Sequence, residues 1–240
     1  MEIYMIRSFF QYLGAKKTNL YFYPDIVSAN KIHLNDYWIK NVHGLYYPNK
    51  ESQSIVIVCH GNAGSVYNRR HLSAAINDMG HSCYLLEYPG FGKTHQQTIS
   101  EEQIIKSALT AIKHWDRKYQ NLILYGESIG CTIATKLASI YSFPKIILQS
   151  GPCSISDMIY HFTSVPLLGY VEYCFNSEEN IKELKGEPKI YILHSKTDEI
   201  VPYEQSLKLS ELLRASGKTN SLIKIKGSHN APRIPWGRIL

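Results

Sequence analysis

The sequence predicts an α/β fold, a mostly parallel sheet with helices on both faces. Three observations predict it. Short apolar runs of strand length recur at Ser54–Cys59, Cys83–Glu87, Leu122–Tyr125, Lys145–Gln149, Lys189–His194 and Ser221–Ile225. Their unbroken hydrophobicity suits strands buried on both faces. Segments of helical apolar spacing separate several of these runs, which implies right-handed crossovers between parallel strands. The third run passes through Gly126-Glu127-Ser128-Ile129-Gly130 into Ile133, Ala134, Leu137 and Ala138, so a strand, a tight turn and a helix follow one another directly.

Taken in order, Tyr21 to Tyr47 alternates aromatic and polar residues, with turn signals at Tyr23-Pro24-Asp25 and His43-Gly44. That pattern reads as two or three edge strands. After the strand at Ser54–Cys59, Arg70 to Met79 has helical spacing and ends at Gly80, a C-cap signal. The next helix spans Ser100 to Lys118, where Ser100 and Gln103 form a capping box. The strands at Lys145 and Lys189 each follow a proline, Pro144 and Pro188. Between them, Ser156–His161, Val165–Phe175 and Ser177–Lys185 read as short helices, too little chain for a large lid. A minimal cap leaves an open site that could admit bulky acyl groups. No repeat or linker divides the chain, so residues 1–240 read as a single domain with an N-terminal segment at 1–20.

Composition narrows the function classes. Hydrophobic residues make up 44% and charged residues 19%, ordinary for a chain with a real core. The net charge is +6, but the basic residues are scattered, with no run longer than Lys16-Lys17 or Arg69-Arg70. No nucleic-acid face is expected, only a mild attraction to anionic membrane surfaces. The five cysteines (Cys59, Cys83, Cys131, Cys153 and Cys174) are odd in number and contain no C-x-x-C. They read as free, packed thiols in a reducing compartment, hence a cytoplasmic protein. The absence of an N-x-S/T sequon agrees. Met1 to Gly14 is apolar but interrupted by Glu2 and Arg7, too short to span a bilayer and without a cleavage site. It reads either as a helix packed on the domain or as a segment in peripheral contact with a membrane. Glu2 excludes N-myristoylation, and the final Gly-Arg-Ile-Leu is not a prenylation box. No His, Asp or Glu cluster has metal-ligand spacing, so neither a metal nor a cofactor is expected.

The chemistry centres on Ser128. A serine between two glycines, at a strand-to-helix turn, is lifted above the sheet edge by a turn too tight for bulky neighbours. A serine hydroxyl is a poor nucleophile at neutral pH, so it needs a base, an acid to orient that base, and donors for an oxyanion. In such elbow proteins the acid and then the histidine follow the serine along the chain. Asp198, ending the strand that begins at Lys189, is the first candidate acid, with Asp157 as competitor. His229, just after the last strand, is the histidine that follows Asp198 in the sequence. Backbone N–H groups of Ile129 and of the loop His60-Gly61-Asn62-Ala63-Gly64 would form the oxyanion hole, with Asn62 the first choice in that loop and Ala63 the second. Glu87-Tyr88-Pro89-Gly90-Phe91-Gly92 shapes a neighbouring loop, in which Tyr88 and Phe91 either line an acyl site or serve structure alone; Ala63 is a further lining candidate. Glu127 is read as structural, and His194 as a packing residue or one standing behind the site.

Together, H-G-N-A-G after one strand, E-Y-P-G-F-G after the next, G-E-S-I-G at the elbow, S-I-S-D-M, H-S-K-T-D-E-I-V-P and G-S-H-N resemble the α/β-hydrolase superfamily. Within it they are similar to the small serine hydrolases that include the abhydrolase-domain depalmitoylases and related esterases. The likeness runs from about Tyr21 to Asn230. It implies the α/β-hydrolase fold, a Ser128–His229–Asp198 triad, and hydrolysis of esters, thioesters or, less often, amides. The acyl substrate would be a small molecule or linked to a protein. Members usually carry Asp at the position of Glu87 and Ser at that of Lys93. Those depalmitoylases also have a cysteine-rich, palmitoylated N-terminus, whereas Met1 to Leu20 holds no cysteine. Only Ala231 to Leu240 follows His229, with Pro232 and Pro235, which leaves little room for the usual closing helix. Two other readings stand beside an esterase or thioesterase: a serine aminopeptidase-like hydrolase using the same triad, and a hydrolase-fold scaffold without turnover.

Overall fold

A computed structural model describes residues 22–28, 30–163 and 175–240. The segment 1–20 and all but Phe175 of the helix expected over 165–175 lie outside the described residues. The strands are β1 (Tyr23–Pro24), β2 (Asp36–Ile39), β3 (Val42–Tyr47), β4 (Ser54–Cys59), β5 (Ala63–Gly64), β6 (Ser82–Leu86), β7 (Asn121–Glu127), β8 (Lys145–Gln149), β9 (Lys189–Ser195), β10 (Asn220–Ser228) and β11 (Ala231–Arg233). The helices are α1 (Arg70–Asp78), α2 (Glu101–Trp115), α3 (Gly130–Ile140), α4 (Ile155–Thr163), α5 (Ser177–Lys182), α6 (Tyr203–Ala215) and α7 (Trp236–Ile239), with a 3-10 turn at Val66–Arg69. As the capping pattern implies, the Ser100 hydroxyl accepts from the Gln103 N–H at 3.1 Å and starts α2.

Among the described residues the main sheet has nine strands in the order β11-β10-β9-β8-β7-β4-β6-β3-β2. The strands from β10 to β6 in that order are parallel; β2, β3 and β11 pair antiparallel. The chain leaves β4 toward β6 on one side, then returns to lay β7 on the other. Strand order therefore reverses at β4, and crevices for ligands form beyond the carboxyl ends at such a reversal. Cys59 of β4 lies opposite Gly126 of β7, which brings the loop after Cys59 level with the elbow.

The two-residue period explains the buried runs. In β4, Ile55, Ile57 and Cys59 enter the core cluster shared with α2 and α3, while Val56 and Val58 enter the one shared with α1 and α7. Leu122 and Leu124 of β7 divide from Ile123 and Tyr125 in the same way. Each such side chain fully buried contributes about 1.5–3 kcal/mol.

Two features differ from the sequence pattern. β1 does not join the main sheet as an edge strand. It pairs in parallel with β5, where the Tyr23 N–H reaches Asn62 O at 2.9 Å and the Asp25 N–H reaches Gly64 O at 2.8 Å. The residues after His229 also find a different solution from a long closing helix. β11 folds back antiparallel on β10, Trp236 stacks on Tyr125 with centroids 5.7 Å apart, and Ile239 is fully buried. Among the described residues no helix is long and apolar enough to cross a membrane.

Candidate active site

The elbow is built by close backbone contact. Ser128 has φ of +56°, a left-handed conformation that a non-glycine residue adopts only when its surroundings enforce it. They do so because α3 starts hard against the end of β4. A Cβ on Gly130 would lie 2.0 Å from the Cys59 carbonyl oxygen, and one on Gly126 would lie 2.6 Å from Gly130 O. The two glycines of G-E-S-I-G are thus there for space. Ile129 caps α3, so its N–H has no acceptor within the helix and is directed outward at the positive end of the helix dipole.

His229 follows β10, and its Nε2 lies 3.1 Å from Ser128 Oγ. Its Nδ1 lies 2.9 Å from Asp198 Oδ1 and 2.8 Å from Oδ2. With the proton on Nδ1 donated to that carboxylate, Nε2 is left as acceptor for the serine hydroxyl. The Asp198 side chain is fully buried. Burial alone would raise its pKa, but hydrogen bonds from His194 and His229, the charge His229 can carry, and the Val201 N–H together hold it far below the ordinary carboxylate range. The Ile200 and Val201 N–H groups reach Oδ1 at 3.0 and 2.9 Å. Asp198 therefore stays an anion and an orienting acceptor. On the far side of the serine, a Cβ on Gly61 would come within 3.5 Å of Ser128 Cβ, which sets the loop carrying Asn62 and Ala63 beside Ser128.

A family profile described as serine aminopeptidase, S33 matches residues 50–171, half of the chain. The chain belongs to this family of α/β-hydrolases. An uncharacterized protein of Acanthamoeba polyphaga mimivirus is 31% identical over 78% of this chain and 70% of its own length. Human alpha/beta hydrolase domain-containing protein 17B is 26% identical over 52% of this chain and 43% of its own. Among solved structures, an esterase from Pyrococcus furiosus superposes with a TM-score of 0.69 at 16% identity, covering 90% of this chain and 91% of that one. The last likeness is one of fold.

In this α/β-hydrolase the other candidates fall in different places. Asn62 and Ala63 lie in the loop beside Ser128, Ala63 exposed and Asn62 half-buried. Tyr88 and Phe91 do not line a surface. Both have no exposed area, and the Tyr88 hydroxyl is spent on the His60 carbonyl at 2.9 Å. Phe91 packs edge-on against Tyr88 and Phe22, so aromatic packing beneath the loop, not contact with an acyl chain, accounts for the pair. Asp157 stands at the start of α4 and pairs with Lys208 at 2.9 Å, while His229 pairs with Asp198. Among the described residues no group of three or more His, Cys, Asp or Glu is arranged to hold a metal ion.

Three residues stand behind these groups, His194 in one of the two roles its sequence position allows. His194 is buried with Nε2 2.9 Å from Val201 O and 3.2 Å from Asp198 Oδ2, while Nδ1 lies 2.6 Å from the Ser206 hydroxyl. It donates toward Asp198 and holds the loop that presents it. Its position four residues before Asp198, at the end of a buried strand, was the available signal. Glu199 accepts from the His229 backbone N–H at 3.0 Å and fixes the loop that carries His229. Glu127 is held by Arg69 at 3.3 Å, a contact across 58 positions with no local signature.

Proposed function

We propose that this chain is a serine hydrolase that cleaves acyl esters or thioesters through an acyl-enzyme at Ser128. One observation carries the reading: a single imidazole, His229, within hydrogen-bond reach of both Ser128 Oγ and a buried carboxylate, at 3.1 and 2.8 Å. In the first half-reaction Ser128 Oγ attacks the acyl carbon and its proton passes to His229 Nε2. Asp198 holds the imidazole in the required tautomer and stabilises its cation. The oxyanion formed on the acyl oxygen accepts from the Ile129 N–H and from the loop N–H of Asn62. Collapse breaks the bond to the leaving alcohol or thiol, which takes the proton from His229. Water then attacks the acyl-enzyme by the same route, giving the acid and restoring Ser128. The steps call on the protein's own groups. The acyl donor is a small molecule or a protein-linked acyl group, and the site of action is the cytoplasm or a membrane surface facing it.

Aminopeptidase activity is the second reading, favoured by the description of the matching family. Holding a free amine takes a carboxylate beside the triad. Among the described residues Glu127 and Glu199 flank it; Arg69 engages both oxygens of Glu127, and the His229 N–H engages one oxygen of Glu199. That supports acyl-ester chemistry over amine capture. A scaffold without turnover has less support, since the tail after His229 is packed and paired.

Labelling with a fluorophosphonate probe tests the reading, with the modified peptide located by mass. The wild type should label at Ser128 and hydrolyse p-nitrophenyl acyl esters, and Ser128→Ala should do neither while keeping its fold. A folded wild type that takes no label would overturn the reading, and faster turnover of aminoacyl anilides than of esters would replace it by the second.

A further inference from the structure

Two segments far apart in sequence would supply the oxyanion donors, the start of α3 and the loop after β4. Such donors act only when held at a fixed separation before the reaction. A guanidinium bridges the two segments. Arg69, at the end of the 3-10 turn, donates from Nη1 to the Ala63 carbonyl at 2.6 Å. From Nε and Nη2 it donates to the two carboxylate oxygens of Glu127, at 3.3 Å each. Ala63 follows Asn62, and Glu127 precedes Ser128. Both charged side chains are largely shielded, 14% and 20% exposed, so the fork is not a loose surface pair.

The loop backbone is shaped around this group. A Cβ on Gly64 would lie 2.8 Å from Arg69 Nη1, and one on Gly61 would lie 3.3 Å from Nη2. The glycines of H-G-N-A-G therefore make room for a guanidinium, where the sequence alone suggests room for substrate oxygen. On its other side the same loop is tied by its pairing with β1. The loop is thus gripped from both edges.

We infer that Arg69 and Glu127 are positioning residues for oxyanion stabilisation: their ion pair clamps the loop donor to the nucleophile elbow. The inference rests on the serine-hydrolase reading above. The clamp has a second, electrostatic part. Glu127 Oε1 lies 3.4 Å from where a Gly61 Cβ would stand, next to the nucleophile. Stripped of Arg69, that carboxylate repels the negative charge developing on the acyl oxygen. Losing Arg69 alone should therefore lower kcat more than losing both charges together, whereas a merely structural pair would show that order in thermal midpoints and not in the kcat of the folded variants.

Steady-state hydrolysis of p-nitrophenyl acyl esters by wild type, Arg69→Met, Glu127→Gln, the double variant and Arg69→Lys tests this, with thermal midpoints measured alongside. Arg69→Met should lower kcat by about tenfold or more with KM within about threefold, below the hundredfold or greater loss from deleting a donor outright. The double variant should regain part of that loss, and Glu127→Gln should be the mildest. Should Arg69→Met not fold, Arg69→Lys carries the test: it keeps the charge but not the fork, and kcat should still fall with KM little changed. An active wild type whose folded arginine variants keep kcat within about twofold overturns the clamp alone, measured against the same donor scale. So does a double variant no better than Arg69→Met. A wild type that neither labels nor turns over esters overturns the hydrolase reading, and the clamp with it.

Discussion

Acid should destabilise this protein through His60, which ends at the foot of the loop beside Ser128 but has no part in the proposed chemistry. Its side chain is 1% exposed, its Nδ1–H donates to Gly61 O at 2.7 Å, and its ring stacks on Tyr88 with centroids 4.1 Å apart. Nε2 has no hydrogen-bond partner among the described residues; the nearest carboxylate oxygen, of Glu87, is 4.0 Å away. Burial first, and then the charge of Arg69, push its pKa from 6.5 down to about 3. The group is thus neutral in the fold and protonated in the unfolded chain between those two values. The unfolded state binds more protons there, so stability falls as pH falls through that window. At about pH 4.5, two units below the unfolded value, the loss is about 2.7 kcal/mol at 1.36 kcal/mol per unit. That is a large share of a typical stability of about 5–15 kcal/mol. Urea unfolding near pH 7.5 and pH 4.5 measures it, comparing wild type with His60→Gln, which cannot titrate. Wild type should lose about 2.7 kcal/mol more than the variant over that interval, whatever their absolute stabilities. Other histidines contribute equally to both proteins and cancel. Equal losses would refute the reasoning.

Two further outcomes follow from the site. Asp198→Asn sets an amide donor against the Nδ1–H of His229 and favours the tautomer that deprives Ser128 of its acceptor. Steady-state kinetics should show kcat lower by about 10⁴ with the fold retained, and a loss under tenfold would remove Asp198 from its role. Gly130→Ala drives a methyl to within 2.0 Å of the Cys59 carbonyl, backbone against backbone. It should lower stability by about 1–3 kcal/mol and suppress probe labelling at Ser128, since α3 must move to make room. An unchanged thermal midpoint with full labelling would contradict that packing.

What the sequence made legible was set by local pattern. β4 and β8 were visible to the residue because their unbroken apolar runs are bounded by polar residues or proline, and Ser128 because strand, glycines and helix are contiguous. Asp198 and His229 could be named because each ends or follows a recognisable strand, so topology delivered them to one sheet edge. Tyr88 and Phe91 were harder, since an aromatic residue in a loop reads the same whether it faces substrate or core. Only their packing against His60, Phe22 and each other decides the matter. Glu127 shows the limit most clearly. Within G-E-S-I-G it is one polar residue in a turn, and its partner lies 58 positions away in a segment whose own signal is a pair of surface-like arginines. The partnership exists because β4 and β7 are neighbours in the sheet, which brings the 3-10 turn after β5 over the elbow. Such a contact is a consequence of topology, so it becomes readable only once the strand order is known. The glycines of the loop follow the same logic: their spacing can be read from the chain, but the guanidinium they make room for cannot.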